Sequence, residues 1–183
     1  KKTLPAKATP ITVVDRAAFQ ALATGLPEAT RAWLATVGFV GAADTHALVP
    51  GADGRLAQVF AGVAHAAHPF ALSHLPLALP EGVYKLDEAG LALQPEAAAM
   101  SWELGGYRFD LYKPAKRAPA TLVLKAGADA ERGLALAAAT AATRDLVNTP
   151  AEHMGPAELS AAAKALAKQY GASFSEVVGD ALL

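Results

Sequence analysis

Short runs of β-branched and aliphatic residues alternate along this chain with longer segments that are rich in alanine. The runs at residues 11–14, 47–49, 56–63 and 121–124 have the composition of β-strands, whereas alanine is the best helix former. Hydrophobic residues make up 53 % of the chain and charged residues 18 %, which is ample for a core and is not the composition of a disordered segment. Alternating strands and helices predict an α/β architecture.

Capping and turn residues mark the predicted elements of the first half. Asp15 is placed to cap a helix over residues 16–22, and Pro27-Glu28 opens a second helix, because proline suits a first turn and an acidic residue favours the positive end of the helix dipole. Residues 50–55 contain Asp-Gly between two apolar runs. This pattern predicts a β-hairpin whose loop is longer than two residues.

The second half is predicted to carry longer helices. Pro95 begins one helix, and a long helix follows over residues 129–147. The residues expected near one apolar face of the long helix are Leu134, Ala138, Ala141 and Leu146. The run at residues 121–124 is predicted to be the most clearly buried strand of the chain.

A last helix, one more strand and the beginning of another helix are predicted at the end of the chain. Pro156 starts the helix, Glu158 occupies its third position, and Gly171 is the expected C′ stop. Residues 173–178 are predicted to be a strand. Asp180 is then placed to cap a helix that the chain only begins.

The charged residues are balanced, and most of the cations are scattered. Lys plus Arg number 16 and Asp plus Glu number 17, giving a net charge of −1, so the chain offers no excess of cations for nucleic-acid phosphates. The only dense basic run, KPAKR at residues 113–117, is interpreted as a short solvated loop. There is no cysteine, which excludes disulfides and thiolate metal sites. No apolar run reaches the ~18–20 residues of a membrane span, and residues 1–5 lack the apolar stretch of a signal peptide.

Histidine is the first candidate for metal chemistry. His65, His68 and His74 have a spacing that suggests a zinc site. The nearest carboxylates do not stand at motif spacing, so we interpret the three as incidental residues of a surface turn. His46 precedes a strand and is interpreted as structural.

Nucleophile and phosphate motifs are missing from the sequence. The serines Ser73, Ser101, Ser160, Ser173 and Ser175 lack the G-x-S-x-G elbow, and neither glycine-rich phosphate-loop pattern occurs. Asp87 and Glu88 are interpreted as solvated loop carboxylates rather than a catalytic pair. The sequence therefore assembles no active site.

Three segments resemble the leucyl aminopeptidase family. Residues 144–159, RDLVNTPAEHMGPAEL, are similar to the R-[DN]-L-x-N-x-P-x-x-x-[ML]-[TG]-P stretch at the junction of that family's two domains. Residues 106–113, GYRFDLYK, and residues 79–82, LPEG, are similar to further segments of the same proteins. The resemblance covers roughly residues 45–183, and the first 45 residues carry no signature.

The resemblance implies a fold and a division into domains. It implies a macro-domain-like mixed sheet flanked by helices over residues 1–128, a linking helix over residues 129–148, and the beginning of a truncated catalytic α/β domain over residues 149–183. It also implies a cytoplasmic parent enzyme, usually a homohexamer, that removes N-terminal residues from peptides. No membrane or nucleic-acid partner is expected.

The resemblance further implies catalysis by two divalent metal ions, Mn or Zn, in the parent enzyme. The family's ligands lie in segments such as N-T-D-A-E-G-R, and this sequence contains no such segment. No catalytic, metal or substrate-binding residue is therefore assigned here, and His153 is treated as a variable loop residue. The chain alone is expected to be inactive, with a role in structure or assembly. Two alternatives remain: a free-standing module that binds nucleotide derivatives, and a purely structural assembly domain.

Overall fold

The computed structural model describes residues 8–182, and within them five strands form one mixed sheet. The prediction that residues 1–5 are not part of a signal peptide concerns residues outside those described. The strands are β1 (Thr9–Val14), β2 (Thr45–Pro50), β3 (Leu56–Gly62), β4 (Val83–Leu86) and β5 (Thr121–Val123). The helices are α1 (Arg16–Ala23), α2 (Glu28–Thr36), α3 (Pro95–Gly106), α4 (Ala128–Asn148) and α5 (Pro156–Tyr170), followed by a 3-10 turn at Gly179–Leu182.

The first strand lies at the centre of the sheet, whose order is β2-β3-β1-β4-β5. Strand β1 pairs in parallel with β3 and β4, which places Ile11 opposite both Val59 and Leu86. Strand β4 pairs in parallel with β5, and only β2 runs antiparallel, through the β2–β3 hairpin. This mixed sheet with flanking helices confirms the predicted α/β class.

Two hydrophobic cores form, and alternate residues of β1 contribute to each of them. Ile11 and Val13 belong to the larger core, with Trp102 of α3, whereas Val14 belongs to the smaller one, with Leu34 of α2. This alternation is the period-two pattern of a strand that is covered on both faces. Helices from both halves of the chain thus pack on the sheet.

Several elements begin and end where the sequence predicts. The Asp15 carboxylate accepts a hydrogen bond from the Ala18 amide at 2.7 Å, so Asp15 is the N-cap of α1. The predicted hairpin is present, and the Gly51 amide donates to the Arg55 carbonyl at 2.7 Å to close its loop.

Two strand predictions are wrong. Strand β5 is an edge strand with partly exposed side chains rather than the most buried one, because the topology leaves it without a neighbour on one side. Residues 173–178 form no strand and are exposed. Alternating apolar residues make a strand only when a partner strand supplies hydrogen bonds.

The predicted apolar face of α4 is also wrong in part. Its buried residues are Ala130, Gly133 and Ala137, while Leu134 is 47 % exposed. Gly133 faces the backbone of α3 at Glu96 so closely that a β-carbon there would overlap the Glu96 carbonyl. Close approach of the two helices selects small residues, which the hydrophobic pattern does not reveal.

Two compact units divide the chain, Lys1–Ala141 and Ala142–Leu183. The second unit contains α5, whose first turn is closed by a hydrogen bond from the Gly155 amide to the Glu158 carboxylate at 3.0 Å. Gly171 ends α5 at φ +67°, a left-handed conformation that favours glycine, as predicted. None of the helices in residues 8–182 is both long enough and apolar enough to cross a membrane.

Candidate functional site

The histidines of the H-x2-H-x5-H pattern do not meet at one point. The rings of His65 and His68 lie 5.6 Å apart, between centroids, on the segment that follows β3. His74 instead faces His46 of β2, with 6.3 Å between their ring centroids. The spacing that suggests zinc in the sequence is therefore split between two places in the fold.

His46 and His74 form a small polar cluster with the turn that precedes β2. The Nε2 atom of His74 lies 3.3 Å from the Thr45 carbonyl oxygen, and its Nδ1 atom lies 3.8 Å from Oδ1 of Asp44. Burial lowers the pKa of His74. The bond to the Thr45 carbonyl and the charge of Asp44 act in the opposite direction, and His46 adds to the lowering of this pKa. Burial likewise lowers the pKa of His46.

The described residues do not fit the metals that the resemblance implies. Among residues 8–182, no group of three or more His, Cys, Asp or Glu side chains is arranged to hold a metal ion. We therefore derive no catalytic step through a metal on this chain. The prediction that the ligands lie in other segments of the parent enzyme stays a prediction.

Asp87 is part of the fold and not a solvated loop carboxylate, so that interpretation is wrong for this residue. Its Oδ2 accepts a hydrogen bond from the buried Thr12 hydroxyl at 3.0 Å, and Thr12 accepts one from the Gln58 amide at 2.8 Å. Glu88, by contrast, is exposed and lies 3.5 Å from the Lys125 amine. Asp87 thus fixes the loop after β4 to the central strand.

The basic run at residues 113–117 is only partly solvated. Arg117 donates hydrogen bonds to the Leu79 carbonyl, at 2.7 Å, and to the Leu77 carbonyl. Its own carbonyl accepts a bond from Arg108 at 2.6 Å. Lys113 and Lys116 are exposed as predicted. Arg117 therefore holds the loop after α3 against the segment before β4.

Two of these serines, Ser73 and Ser101, donate their hydroxyl hydrogen bonds to backbone carbonyls three residues earlier. The buried Ser101 hydroxyl donates to the Ala98 carbonyl at 3.3 Å, and Ser73 donates to the Phe70 carbonyl at 2.9 Å. Both bonds lie within a single turn. This is the local bonding of structural hydroxyls and not the pairing of a nucleophile with a base.

A groove of about 290 Å³ lies between α3, the end of β5 and the first turns of α4. Its lining is largely apolar, with Glu103, Lys125 and Glu131 as the charged residues. Cationic side chains strengthen phosphate binding, but here two carboxylates accompany a lysine that already faces Glu88. The groove is therefore poorly suited to a nucleotide phosphate.

The junction segment, residues 144–159, joins α4 to α5 through a tight turn. Thr149 donates from its amide and its hydroxyl to the Asp145 carbonyl, at 3.0 and 2.7 Å. The His153 amide donates to the Pro150 carbonyl at 2.8 Å. Because proline disfavours the α conformation of the preceding residue, Pro150 ends α4 in this turn.

The sequence profile of the family described as "M17 aminopeptidase, N-terminal domain" matches residues 9–125. This chain belongs to that family. The match confirms the resemblance to leucyl aminopeptidases and extends it into the first 45 residues, where the motifs gave no signature. It covers all five strands of the sheet and stops before α4.

Proteins similar to this M17 chain include several that are named cytosol aminopeptidase. A protein named "Probable cytosol aminopeptidase" from Mycobacterium marinum is 44 % identical over 78 residues, which are 37 % of this chain and 15 % of the relative. The crystal structure of the cytosol aminopeptidase from Coxiella burnetii superposes with a TM-score of 0.88 at 28 % identity, covering 98 % of this chain and 40 % of that one. This chain thus spans well under half the length of these relatives.

A second solved structure adds information about a metal. The bottromycin maturation enzyme BotP in complex with Mn superposes with a TM-score of 0.73 at 26 % identity, covering 97 % of this chain and 40 % of BotP. The likeness to BotP and to the Coxiella enzyme extends over nearly all of this chain. The comparisons therefore support the predicted fold over both compact units.

Proposed function

We propose that this chain is the N-terminal portion of a leucyl aminopeptidase-like exopeptidase that removes N-terminal residues from peptides. The observation that carries the proposal is the family match over residues 9–125, together with the 0.88 TM-score to the Coxiella cytosol aminopeptidase. Under this proposal residues 1–128 are the macro-like domain, residues 129–148 the linking helix, and residues 149–183 the beginning of the catalytic domain.

The chain itself is proposed to be catalytically inactive and to act in structure or assembly. The polar side chains that the sequence singled out support this proposal, because they bond to the chain's own backbone or to each other. Asp87 contacts Thr12, Arg117 contacts two carbonyls, and Ser101 bonds within its own helix. Groups bound in this way do not meet around a space that could admit a peptide bond.

The parent enzyme is proposed to use two divalent metal ions, Mn or Zn, held by residues other than those described here. The Mn complex of BotP supports the use of a metal, and manganese suits carboxylate, carbonyl and water ligands. We also propose a cytoplasmic homohexamer acting on peptides, without a nucleic-acid or membrane partner. The name cytosol aminopeptidase among the relatives supports the location.

Hydrolysis of leucine p-nitroanilide tests the proposal. The purified chain is assayed with added Mn²⁺ or Zn²⁺ beside a full-length M17 enzyme as the positive control. We expect no turnover from the chain and metal-dependent turnover from the control. Clear turnover from the pure chain, abolished by a chelator, would show that an active site lies within these residues.

The groove at the carboxyl end of β5 motivates one other function, a module that binds nucleotide derivatives. Ligands of open α/β sheets bind beyond the carboxyl ends of the strands, and this groove has that position. Glu103 and Glu131 count against a phosphate-bearing ligand there. Saturable heat in a calorimetric titration with ADP-ribose would favour the module over the proposal above.

A further inference from the structure

His74 fastens the segment between β3 and β4 to the beginning of β2. The Thr45 carbonyl can only accept a hydrogen bond, so in the neutral ring Nε2 carries the proton and donates to it at 3.3 Å. Leu72 and Leu75 on either side of His74 are fully buried. The position of the imidazole is therefore set by the core and not by solvent.

The other ring nitrogen is left in an unfavourable state when His74 is neutral. Its Nδ1 atom is buried and has no hydrogen-bond partner, while Oδ1 of Asp44 lies 3.8 Å away. Two acceptors then face each other across a gap that is too long for a hydrogen bond. A proton on Nδ1 would convert this pair into a donor and a charged acceptor.

Asp44 is able to close the gap. Its backbone is fixed in the left-handed region at φ +59°, and its amide donates to the Gly62 carbonyl at 3.0 Å. Its side chain, by contrast, is 80 % exposed, whereas that of His74 is 13 % exposed. The carboxylate can therefore rotate toward the ring without disturbing the core.

We propose that Asp44 and His74 form a proton-operated clasp between the beginning of β2 and the segment that follows β3. The clasp is open when the imidazole is neutral, with one bond to Thr45. Protonation of Nδ1 closes it, because the new N–H donates to the Asp44 carboxylate and the segment is then held by two bonds. The clasp makes this part of the fold sensitive to acid, independently of any peptidase chemistry.

The neighbouring groups set the pH at which the clasp closes. Burial and the His46 ring oppose the charge on His74 and lower its pKa, and Thr45 and Asp44 act in the other direction. Among the described residues, Asp44 and His46 are the titratable groups that act on His74 through their charge. The clasp therefore closes at a lower pH than the one at which an exposed histidine takes up its proton.

The effect on stability has a definite sign. Because the folded pKa of His74 is below its unfolded value, the unfolded chain binds the proton first, and stability falls as the pH drops from the unfolded pKa to the folded one. The clasp limits this loss, since the Asp44 charge raises the folded pKa. Removing that charge widens the pH window in which stability is lost.

Histidine titration by NMR tests the clasp in the intact chain. We compare the wild type with Asp44→Asn, which keeps a residue that tolerates the left-handed conformation, and with Asp53→Asn as the matched control in the β2–β3 loop. Asp44→Asn is expected to lower the His74 midpoint by about 0.5–1 pH unit, and His46→Gln is expected to raise it. Asp53→Asn is expected to leave it unchanged.

The outcome that overturns the clasp is equally specific. If Asp44→Asn and Asp53→Asn give the same His74 midpoint, the Nδ1–H of protonated His74 does not donate to the Asp44 carboxylate. An Nδ1 proton of protonated His74 that exchanges with water as fast in the wild type as in Asp44→Asn would also refute the clasp, because the bond to the Asp44 carboxylate would then be absent. The amide signals at neutral pH show for each variant that the fold is retained.

Discussion

Replacing Gly133 by alanine tests whether the contact between α3 and α4 is as close as the structure has it. Gly133 lies inside α4, and its missing β-carbon would overlap the Glu96 carbonyl and lie 2.9 Å from the β-carbon of Ala99. Both neighbours belong to α3, and the carbonyl is backbone, which cannot rotate away as the end of a flexible side chain could. The substitution therefore forces the helices apart.

Two opposing effects determine the size of the change. Alanine is about 1 kcal/mol better than glycine inside a helix, so helix propensity alone predicts that Gly133→Ala stabilises the protein. Overpacking a close contact costs about 1–3 kcal/mol, and a backbone obstacle places this site near the upper end. We expect a net loss of about 2 kcal/mol in the free energy of unfolding.

Urea denaturation followed by tryptophan fluorescence measures this loss. The chain has two tryptophans, Trp33 in α2 and Trp102 in α3, and both report on the unit that contains the contact. With a urea slope of about 2 kcal/mol per molar, the midpoint falls by about 1 M. Gly127→Ala is the matched control, because nothing lies within 4 Å of its β-carbon, and it is expected to be neutral or slightly stabilising.

A Gly133→Ala midpoint at or above that of the wild type would refute the reasoning. Helix propensity would then outweigh packing, which means that α3 and α4 lie further apart than the structure shows. Equal losses for Gly133→Ala and Gly127→Ala would point to the helix start rather than to the helix contact. Only a loss at Gly133 alone supports the close approach.

Three further substitutions test the polar contacts and the exposed surface. Arg117→Met keeps the apolar stem but loses two bonds to carbonyls, so urea denaturation should show a loss of about 1–3 kcal/mol, with Lys113→Met unchanged as the control. Thr12→Val leaves the partners of a buried hydroxyl unsatisfied and should cost a similar ~1–3 kcal/mol; the same loss in Thr140→Val, at an exposed helical hydroxyl, would contradict this. Leu159, Leu166 and Tyr170 are apolar and exposed on α5, a surface that favours self-association, so Leu166→Glu should lower the molar mass seen in light scattering relative to the wild type without a loss of stability.

The parts of the fold that follow local rules could be predicted from the sequence. Asp15 caps α1 and Gly171 ends α5, because capping and left-handed stops depend on residues only a few positions apart. The hairpin follows for the same reason. The burial of strand β5 could not be predicted correctly, since a short run of β-branched and aliphatic residues has the same sequence in a central strand and in an edge strand. Its exposure depends on the order of strands, which is a property of the whole chain.

The polar contacts escaped prediction because their partners are distant in sequence. Thr12 and Asp87 are 75 positions apart, and Arg117 reaches Leu79 over 38 positions. The sequence does not distinguish a carboxylate that contacts solvent from one that bonds to a distant residue such as Thr12. The interpretation of Asp87 therefore followed the commoner case, a solvated carboxylate. The family resemblance was the stronger guide, because it compares whole motifs and carries the long-range arrangement with it.

The long-range side-chain bonds of the sheet-containing unit share one arrangement, in which each joins a helix, loop or strand to a distant part of the chain. Examples are Trp33 to Leu48, Trp102 to Ala120, Thr12 to Asp87 and Arg117 to Leu79. Replacing the donor of such a bond leaves its acceptor without that partner, which costs stability. Substituting these residues should therefore change the stability of this unit, whereas aminopeptidase turnover should depend on joining it to a catalytic domain.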